Sequence, residues 1–548
     1  RVMRTVKPVS LAAGPGGVWI LDMGQNMAGW LQMKVRGKRG DQVRLRYAET
    51  LQKDGSLYTA NLRDAKVTDL YTLSGNGEEV WHPVFVFHGF RYVEISGYPG
   101  KPSLDDSDFE GQVVYDDLAG VGEFHCSDSI LNKLFTNAWW GINANYKGMP
   151  IDCPQRNERM PWLGDRATGS LGESYLFNNG LLYAKWLDDI EQSQKPDGQL
   201  PDVAPAYWNY YSDNMTWPGV YILVADMLYR QYGDSRPIGK HYASMKKWLG
   251  YMKGKYLKDG IMTKDKYGDW CVPPESATLI HSKDSSRNTD GQLIATAYYF
   301  HFLRMMKEFA GMLKLSSDIV EFERESVKVG QAFNGRFLRG DHYSNNTVTA
   351  NLLPLYFGLV PEEKREKVMD AIDEKIRVGN GGHISTGVIG TQWLMRGLVK
   401  FGRPELALRI ATNRDYPSWG YMVEHGATTI WELWNGNTAD PAMNSQNHVM
   451  LLGDLLAWFF QDLAGMAPGE PGFKKIRMKP AFSSGLASAG GSYRTPYGVV
   501  KSEWVRRGER VVWDIVVPSN TSAEVYLPDG RMQELGAGTY HFDVKLAI

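Results

Sequence analysis

The spacing of apolar positions changes character twice along the chain. Up to about residue 117 it has a period of two. Val43, Leu45 and Tyr47 alternate with Arg44 and Arg46, the pattern of a half-buried strand. Strand-forming residues continue from Trp81 to Tyr98, with Gly89 and Gly97 as punctuation, and Lys38-Arg39-Gly40-Asp41, Asp54-Gly55 and Gly75-Asn76-Gly77 are turn signals. Short strands at this spacing predict an antiparallel sandwich. From near Ser127 to about Ala467 the period is helical. Ile294, Tyr298, Phe302, Met305 and Phe309 fall on one stripe, as do Val449, Leu452, Leu456, Phe459, Phe460 and Leu463. Ser127-Asp128 and Ser316-Ser317-Asp318 read as helix starts. After Ala467-Pro468-Gly469-Glu470-Pro471-Gly472 the period of two returns. Trp513, Ile515 and Val517 alternate, Val525 and Leu527 follow, and Pro528-Asp529-Gly530 makes a turn. The pattern therefore predicts β, then α, then a smaller terminal β domain, with no short internal repeat. About 340 residues of amphipathic helix broken by long Gly/Pro/Trp-rich loops exceed one simple bundle, and such loops are usually functional.

Composition narrows the class. Of 548 residues, 43% are hydrophobic and 22% charged, which excludes a disordered or collagen-like chain. The 61 basic and 62 acidic residues leave a net charge of −1, so no global field favours nucleic acid or an anionic membrane. The richest apolar run, residues 451–460, contains Asp454 and is too short to span a bilayer. The start at Arg1, without a signal-peptide pattern, reads as a processed chain and leaves targeting open. Cys126, Cys153 and Cys271 are sparse, odd in number and without CxxC spacing. They predict buried thiols rather than a disulfide framework or a zinc site. The 18 Trp, 29 Tyr and 20 Phe are the unusual feature. Most must fill cores, yet several Trp stand beside carboxylates and Asn. That combination suits a sugar, whose ring offers an apolar face and a rim of hydroxyls.

Two clusters could carry chemistry. Asp152-Cys153-Pro154-Gln155-Arg156-Asn157-Glu158-Arg159-Met160-Pro161-Trp162-Leu163-Gly164-Asp165 places three carboxylates and two arginines on one loop, with a helix expected to begin near Pro161. A salt-bridged, solvated turn would have the same charges, but Cys153 and Trp162 argue for partial burial, where charge needs a partner. In Glu424-His425-Gly426-Ala427-Thr428-Thr429-Ile430-Trp431-Glu432-Leu433-Trp434-Asn435-Gly436, Glu432 is flanked by two Trp. An aromatic wall disfavours a carboxylate's charged form, although a Glu at a helix edge beside core Trp would read the same. Glycoside hydrolysis requires two carboxyl groups across the scissile bond, and only the fold can bring such distant clusters together.

The first cluster, Thr429-Ile430-Trp431-Glu432-Leu433-Trp434 and the downstream Asn447-His448 resemble the α-L-rhamnosidases of glycoside hydrolase family 78. Tyr47-Ala48-Glu49, Val86-Phe87-His88-Gly89-Phe90-Arg91-Tyr92 and Lys195-Pro196-Asp197-Gly198 extend the resemblance over most of the chain. It implies a mainly α, multidomain fold: an N-terminal antiparallel β-sandwich at 1–117, an (α/α)6-barrel catalytic domain at 118–467 and a C-terminal antiparallel β-sandwich at 468–548. Further β domains often stand upstream in the family, and their absence fits the abrupt start at Arg1.

The resemblance also implies an inverting mechanism, with Glu158 as general acid and Glu432 as general base activating water on the far face of rhamnose. Inversion predicts carboxyl groups roughly 6.5–9.5 Å apart, and the acid is expected to stay protonated through burial or negative neighbours such as Asp152 and Asp165. Asp152, Arg156, Trp162, Asp165, Trp217, Asp269, Trp270 and His448 carry over as substrate-binding positions, the aromatics supplying a wall for the sugar's methyl group. A lone His on a helix is as readily a hydrogen-bonded core residue. The chain departs from many relatives at Asn157, where they have Asp, and at Pro161, where they have Gly.

No metal or cofactor is called for. The expected partner is a rhamnose-containing glycoside or oligosaccharide from plant material, with no nucleic acid and no membrane insertion. Family analogy leans toward periplasmic or secreted enzymes, and the oligomeric state is not readable. Two alternatives stay open: another (α/α)6 glycosidase or phosphorylase with a different sugar, and a non-catalytic carbohydrate-binding protein. A phosphorylase would use phosphate in place of the base, which Glu432 argues against.

Overall fold

The computed structural model describes residues 1–104, 108–439, 443–482 and 485–547. The chain forms two compact units that are not linear segments. The first joins Arg1–Asp117 to Thr136–Pro161 and His425–Val449; the second comprises Leu118–Phe135, Trp162–Glu424 and Met450–Ile548.

In the first unit the alternation at residues 43–47 becomes the strand Gln42–Ala48, whose Val43, Leu45 and Tyr47 are buried. The sheet is organised about the long strand Trp19–Arg36, which pairs antiparallel with Ser10–Ala13, Glu78–Trp81, His88–Ser96 and Phe109–Val114. Gln42–Ala48 joins on the far side of His88–Ser96. The pairing of Trp19–Arg36 with His88–Ser96 slips between Asp22 and Met27. Such a bulge re-aims side chains out of the ladder, and here it releases Gln25 and Asn26.

Among the described residues, the second unit carries helices, two short two-stranded hairpins and two larger sheets. The stripe from Ile294 to Phe309 lies on the helix Gly291–Met312, and all five of its members are buried. Asp290 caps this helix by accepting from Gln292 N at 2.8 Å. Three residues later the helix Ser316–Phe337 begins, as its Ser-Ser-Asp start predicts, with Asp318 in the first turn. Asp128 likewise caps the helix Ser129–Ala144, accepting from the backbone of Ile130 and Leu131. The stripe from Val449 to Leu463 is buried throughout but is not one helix. It divides into the 3₁₀ turn Met450–Leu452, the helix Leu455–Trp458 and the π turn Phe459–Leu463. A burial pattern records which residues face the core and does not register a break in the backbone between them.

The period-two region after Ala467 forms two sheets. One is five-stranded and antiparallel, and its edge strand Gly122–Cys126 comes from ahead of the helices. Val511, Trp513, Ile515 and Val517 of its strand Arg510–Val517 are buried in alternation. The other sheet contains one parallel pair, Lys475–Met478 with Ser522–Tyr526, where only antiparallel pairing is expected. Alternation fixes the face a side chain occupies; it carries no information on strand direction or partner.

Candidate active site

In the first unit, the loop that leaves residue 151 is closed on itself. Asp152 N donates to Met160 O at 2.9 Å, and Met160 N returns a bond to Asp152 Oδ1 at 2.6 Å. Between these ends Arg159 adopts φ +48°, a left-handed conformation that costs a non-glycine residue about 1 kcal/mol. It is held there by its bond from Nε to Arg156 O and by the Phe87 ring beneath its guanidinium. The sheet packs tightly on this loop at Gly89, where a Cβ would meet Pro154 Cγ at 2.7 Å and Gln155 N at 2.8 Å. That approach accounts for the glycine in the Phe-His-Gly-Phe stretch.

The second carboxylate is carried by a backbone ladder. Glu432 N donates to Ser445 O at 2.9 Å and His448 N donates to Ile430 O at 2.8 Å, so the segments around 430–432 and 445–448 run as a pair. Ser445 N then reaches back to Glu432 Oε2 at 2.7 Å. The bulged residues of the sheet hold the near end of this hairpin. Asn26 N donates to the Thr428 hydroxyl at 2.9 Å, and Gln25 Nε2 donates to Thr428 O at 2.8 Å.

Loop and hairpin meet at Arg156, which is almost wholly buried. Its Nη1 donates to Glu432 Oε2 at 3.0 Å and to Met443 O at 2.8 Å, while Nη2 donates to Glu432 Oε1 at 3.1 Å. Nη2 also lies 2.9 Å from Glu158 Oε2 and 3.8 Å from Asp152 Oδ2. The expected convergence of Asp152, Arg156, Glu158 and Glu432 is therefore realised in one unit, and His448 joins it with Nε2 4.0 Å from Asp152 Oδ2. The Glu158 and Glu432 oxygens that share Nη2 are separated by at most about 6 Å, shorter than the roughly 6.5–9.5 Å expected of an inverting pair.

The charges at this centre are balanced locally. Burial works against the Arg156 charge, but the surrounding Glu432, Glu158 and Asp152 more than offset it and hold the guanidinium protonated. Asp152 is pushed up to about 7, by burial first and by the Glu158 charge second. Glu158 has a second cation, Arg63 Nη1, at 2.9 Å. Two arginines thus touch the expected acid, so its surroundings are more cationic than Asp152 and Asp165 alone would suggest. Asn157 donates its side-chain amide to Asp64, a bond that an ionised Asp at this position could not give.

Among the described residues, Asp152, Cys153 and Glu158 form the group able to offer three metal donors, with atoms within 4.8 Å of one another. The donor set does not suit an ion. Burial keeps the Cys153 thiol protonated and it donates to Asp152 Oδ2 at 2.6 Å, while Arg156 already supplies the positive charge.

The other expected positions belong to the second unit. Trp162 pairs by an isolated bridge with Val203 and meets Trp208 and Tyr210 edge-on, at centroid distances of 6.1 and 5.6 Å. The helix after it starts at Leu163, two residues beyond Pro161, and contains the buried Asp165. Gly164 abuts Trp217 so closely that a Cβ would lie 2.1 Å from the indole. Trp217 stacks on Tyr267 at 4.2 Å, and Tyr267 meets Trp270 edge-on at 5.8 Å. Tyr267 OH and the Asn214 amide both donate to Asp202, tying this aromatic row to one buried carboxylate. Asp269 has a scaffold task. Its Oδ1 accepts from Ile389 N and Gly390 N, and its Oδ2 from Gly387 N and the Thr349 hydroxyl. Both oxygens therefore cap the start of the helix Val388–Lys400.

Sequence reasoning gave no role to Asn26, Glu49, Arg63 or Ser445, which complete the first unit's site. Glu49 belongs to the Tyr-Ala-Glu stretch, but nothing in a strand pattern indicates that its carboxylate turns toward a segment nearly 400 residues away. For Arg63 no signal exists in the sequence.

Two acidic groups gathered on one buried arginine are an arrangement suited to acid–base cleavage of a glycosidic bond. The particular family follows from comparison with known proteins. Models of the bacterial α-L-rhamnosidase concanavalin-like domain, six-hairpin glycosidase domain and C-terminal domain match residues 13–115, 119–463 and 465–542. The chain belongs to the bacterial α-L-rhamnosidase family. It is 36% identical over 518 residues to an α-L-rhamnosidase of Streptomyces avermitilis, covering 93% of this chain and 48% of that protein. The α-L-rhamnosidase of Dictyoglumus thermophilum superposes with a TM-score of 0.94 at 36% identity, over 100% of this chain and 64% of that one. The Streptomyces avermitilis α-L-rhamnosidase complexed with L-rhamnose gives 0.93 at 34% identity, over 100% and 54%. The chain shares their fold and spans about half the length of the curated relatives it matches.

Proposed function

We propose that the chain is an inverting α-L-rhamnosidase acting on terminal rhamnose of plant-derived glycosides or polysaccharides. Glu158 is the acid that protonates the departing oxygen. Glu432 is the base that takes a proton from water as the water attacks the anomeric carbon. The observation that carries the reading is the double engagement of Arg156 by Glu158 and Glu432, which gathers two acids from remote parts of the chain at one buried point. A sugar between them exchanges the Arg156–Glu158 contact for its own hydroxyls and widens the pair toward the spacing that a bound water needs. Asp152, Arg156 and His448 then bind hydroxyls. Trp162, Trp217 and Trp270 keep the role that the family resemblance implies, an apolar surface for the sugar's methyl group. The reading takes the helices between residues 118 and 467 as an (α/α)6 barrel flanked by β domains at 1–117 and 468–548.

Titrating an aryl α-L-rhamnoside against wild type, Glu158→Gln and Glu432→Gln tests the assignment. Positioned acid–base groups contribute about 10²–10⁴-fold, so each variant should lose at least that in kcat while still binding rhamnose. Undiminished turnover by either variant removes that residue from its role. One observation favours a second assignment of the acid: it is Asp152 that burial and Glu158 push up to about 7. If Asp152→Asn abolishes the alkaline limb of the rate profile and Glu158→Gln leaves it in place, Asp152 is the proton donor.

A further inference from the structure

Glu49 follows the strand Gln42–Ala48 and is 2% exposed. Every hydrogen bond to its carboxylate comes from a donor: Asn26 Nδ2 to Oε1, Asn61 Nδ2 to Oε2 and Gln446 N to Oε2, each at 3.0 Å. The third links the sheet to the base hairpin. Gln446 follows Ser445, whose N–H holds Glu432 Oε2 and whose carbonyl accepts from Glu432 N. The carboxylate is thus tied to the base by two hydrogen bonds on successive backbone amides, those of Gln446 and Ser445. It also lies near enough to Arg156 and Glu432 for both charges to act on it. Its position at the wall of a cavity of about 730 Å³, lined also by Tyr58, Tyr92, Trp431 and Gln446, gives protons a route to it.

We infer that Glu49 is a positioning residue for Glu432: it fixes the hairpin at Gln446 and places a second negative charge beside the base. This rests on the assignment of Glu432 as base. The charged and polar groups facing Glu49 are Arg156, Glu432, Asn26, Asn61 and the Gln446 amide. Burial pushes Glu49 up to about 7, Gln446, Asn26 and Arg156 draw it back, and Glu432 raises it. The carboxylate is therefore sensitive to pH near neutrality.

Two substitutions separate anchoring from charge. Asn26 Oδ1 and Asn61 Oδ1 are buried without partners, so either amide can turn to accept from the new NH₂ in Glu49→Gln. That variant keeps the anchor and loses the charge. Glu49→Ala loses both. Misplacing a reacting group by about 1 Å costs on the order of 100-fold. Glu49→Ala should therefore lower kcat by about that factor with KM for an aryl rhamnoside changed less than about 3-fold, and Glu49→Gln should restore most of kcat. On a Glu432→Gln background, Glu49→Ala should cost nothing further in kcat. A Glu49→Gln variant that loses as much kcat as Glu49→Ala, or an additive loss in the double variant, overturns the inference. If Glu432→Gln itself retains activity, the assignment of the base fails instead, so the two failures are distinguishable.

Discussion

Arg156 donates to Glu432 through both terminal nitrogens and contacts Glu158 through one of them, so its removal leaves Glu432 without that cation and Glu158 with Arg63 alone. Breaking a buried ion pair by deleting one partner costs about 3–5 kcal/mol. Arg156→Met should show a loss of that size in chemical denaturation, along with loss of turnover. Arg156→Lys is not conservative here, because a single ammonium cannot make the two-pronged contact with Glu432, and it should recover stability better than activity. At the same scale, Asn157 and Asp64 form a pair that Asn157→Asp would turn into like charges. A second carboxylate near Arg63 and Glu158 should then weaken the loop without changing which group donates the proton.

At the scale of elements, the hairpin around Glu432 depends on a bulge in another element. Thr428→Val removes the hydroxyl that accepts from Asn26 N, and a buried N–H left unpaired costs about 1–3 kcal/mol. Urea denaturation should register that loss, and kcat should fall while KM for an aryl rhamnoside holds. The sequence made parts of this legible. The alternation of Val43, Leu45 and Tyr47 identified a strand, and the carboxylates beside Arg156 and Trp431 marked both elements that meet at Arg156, because charge next to apolar residues calls for a partner. It did not disclose the slip between Asp22 and Met27, the use of both Asp269 oxygens as a helix cap, or the parallel strand pair near Ile476. Each of these depends on a partner distant along the chain, and local periodicity reports only which face of an element is buried. The apparent single helix from Val449 to Leu463 is divided for the same reason: burial continues across a backbone that changes its winding.

For the whole molecule, three carboxyl groups, Glu49, Asp152 and Asp462, are each pushed up to about 7, burial being the largest cause in every case. Their folded values lie above their unfolded ones, so the native state takes up protons as pH falls. Their contribution to stability declines as pH rises from about 4 to about 7 and stays low above that. His301 acts in the opposite sense. Burial, with Arg304 and Lys400 adding to it, lowers it to about 3, so its neutral form favours folding above its unfolded value and that contribution is lost as pH drops below about 6.5. Lys147, which burial brings down to about 7, also adds stability as pH rises through that value. Between pH 6 and 8 the three carboxyls still outweigh the imidazole and the ammonium together. Scanning calorimetry should give a Tm higher at pH 6 than at pH 8 by about 2 °C or more, and Asp462→Asn should narrow that gap. An equal or higher Tm at pH 8 would contradict the assignment of these buried groups.

The claim on which the mechanism turns is that Glu158 and Glu432 work from opposite faces of one rhamnose. Proton NMR of the sugar as it is released from an aryl α-L-rhamnoside, followed before mutarotation, tests this directly. The account predicts that β-L-rhamnose appears first and the α anomer only later. An initial α anomer would mean retention, with one of the two carboxylates bonding the sugar instead of activating water, and would contradict the account.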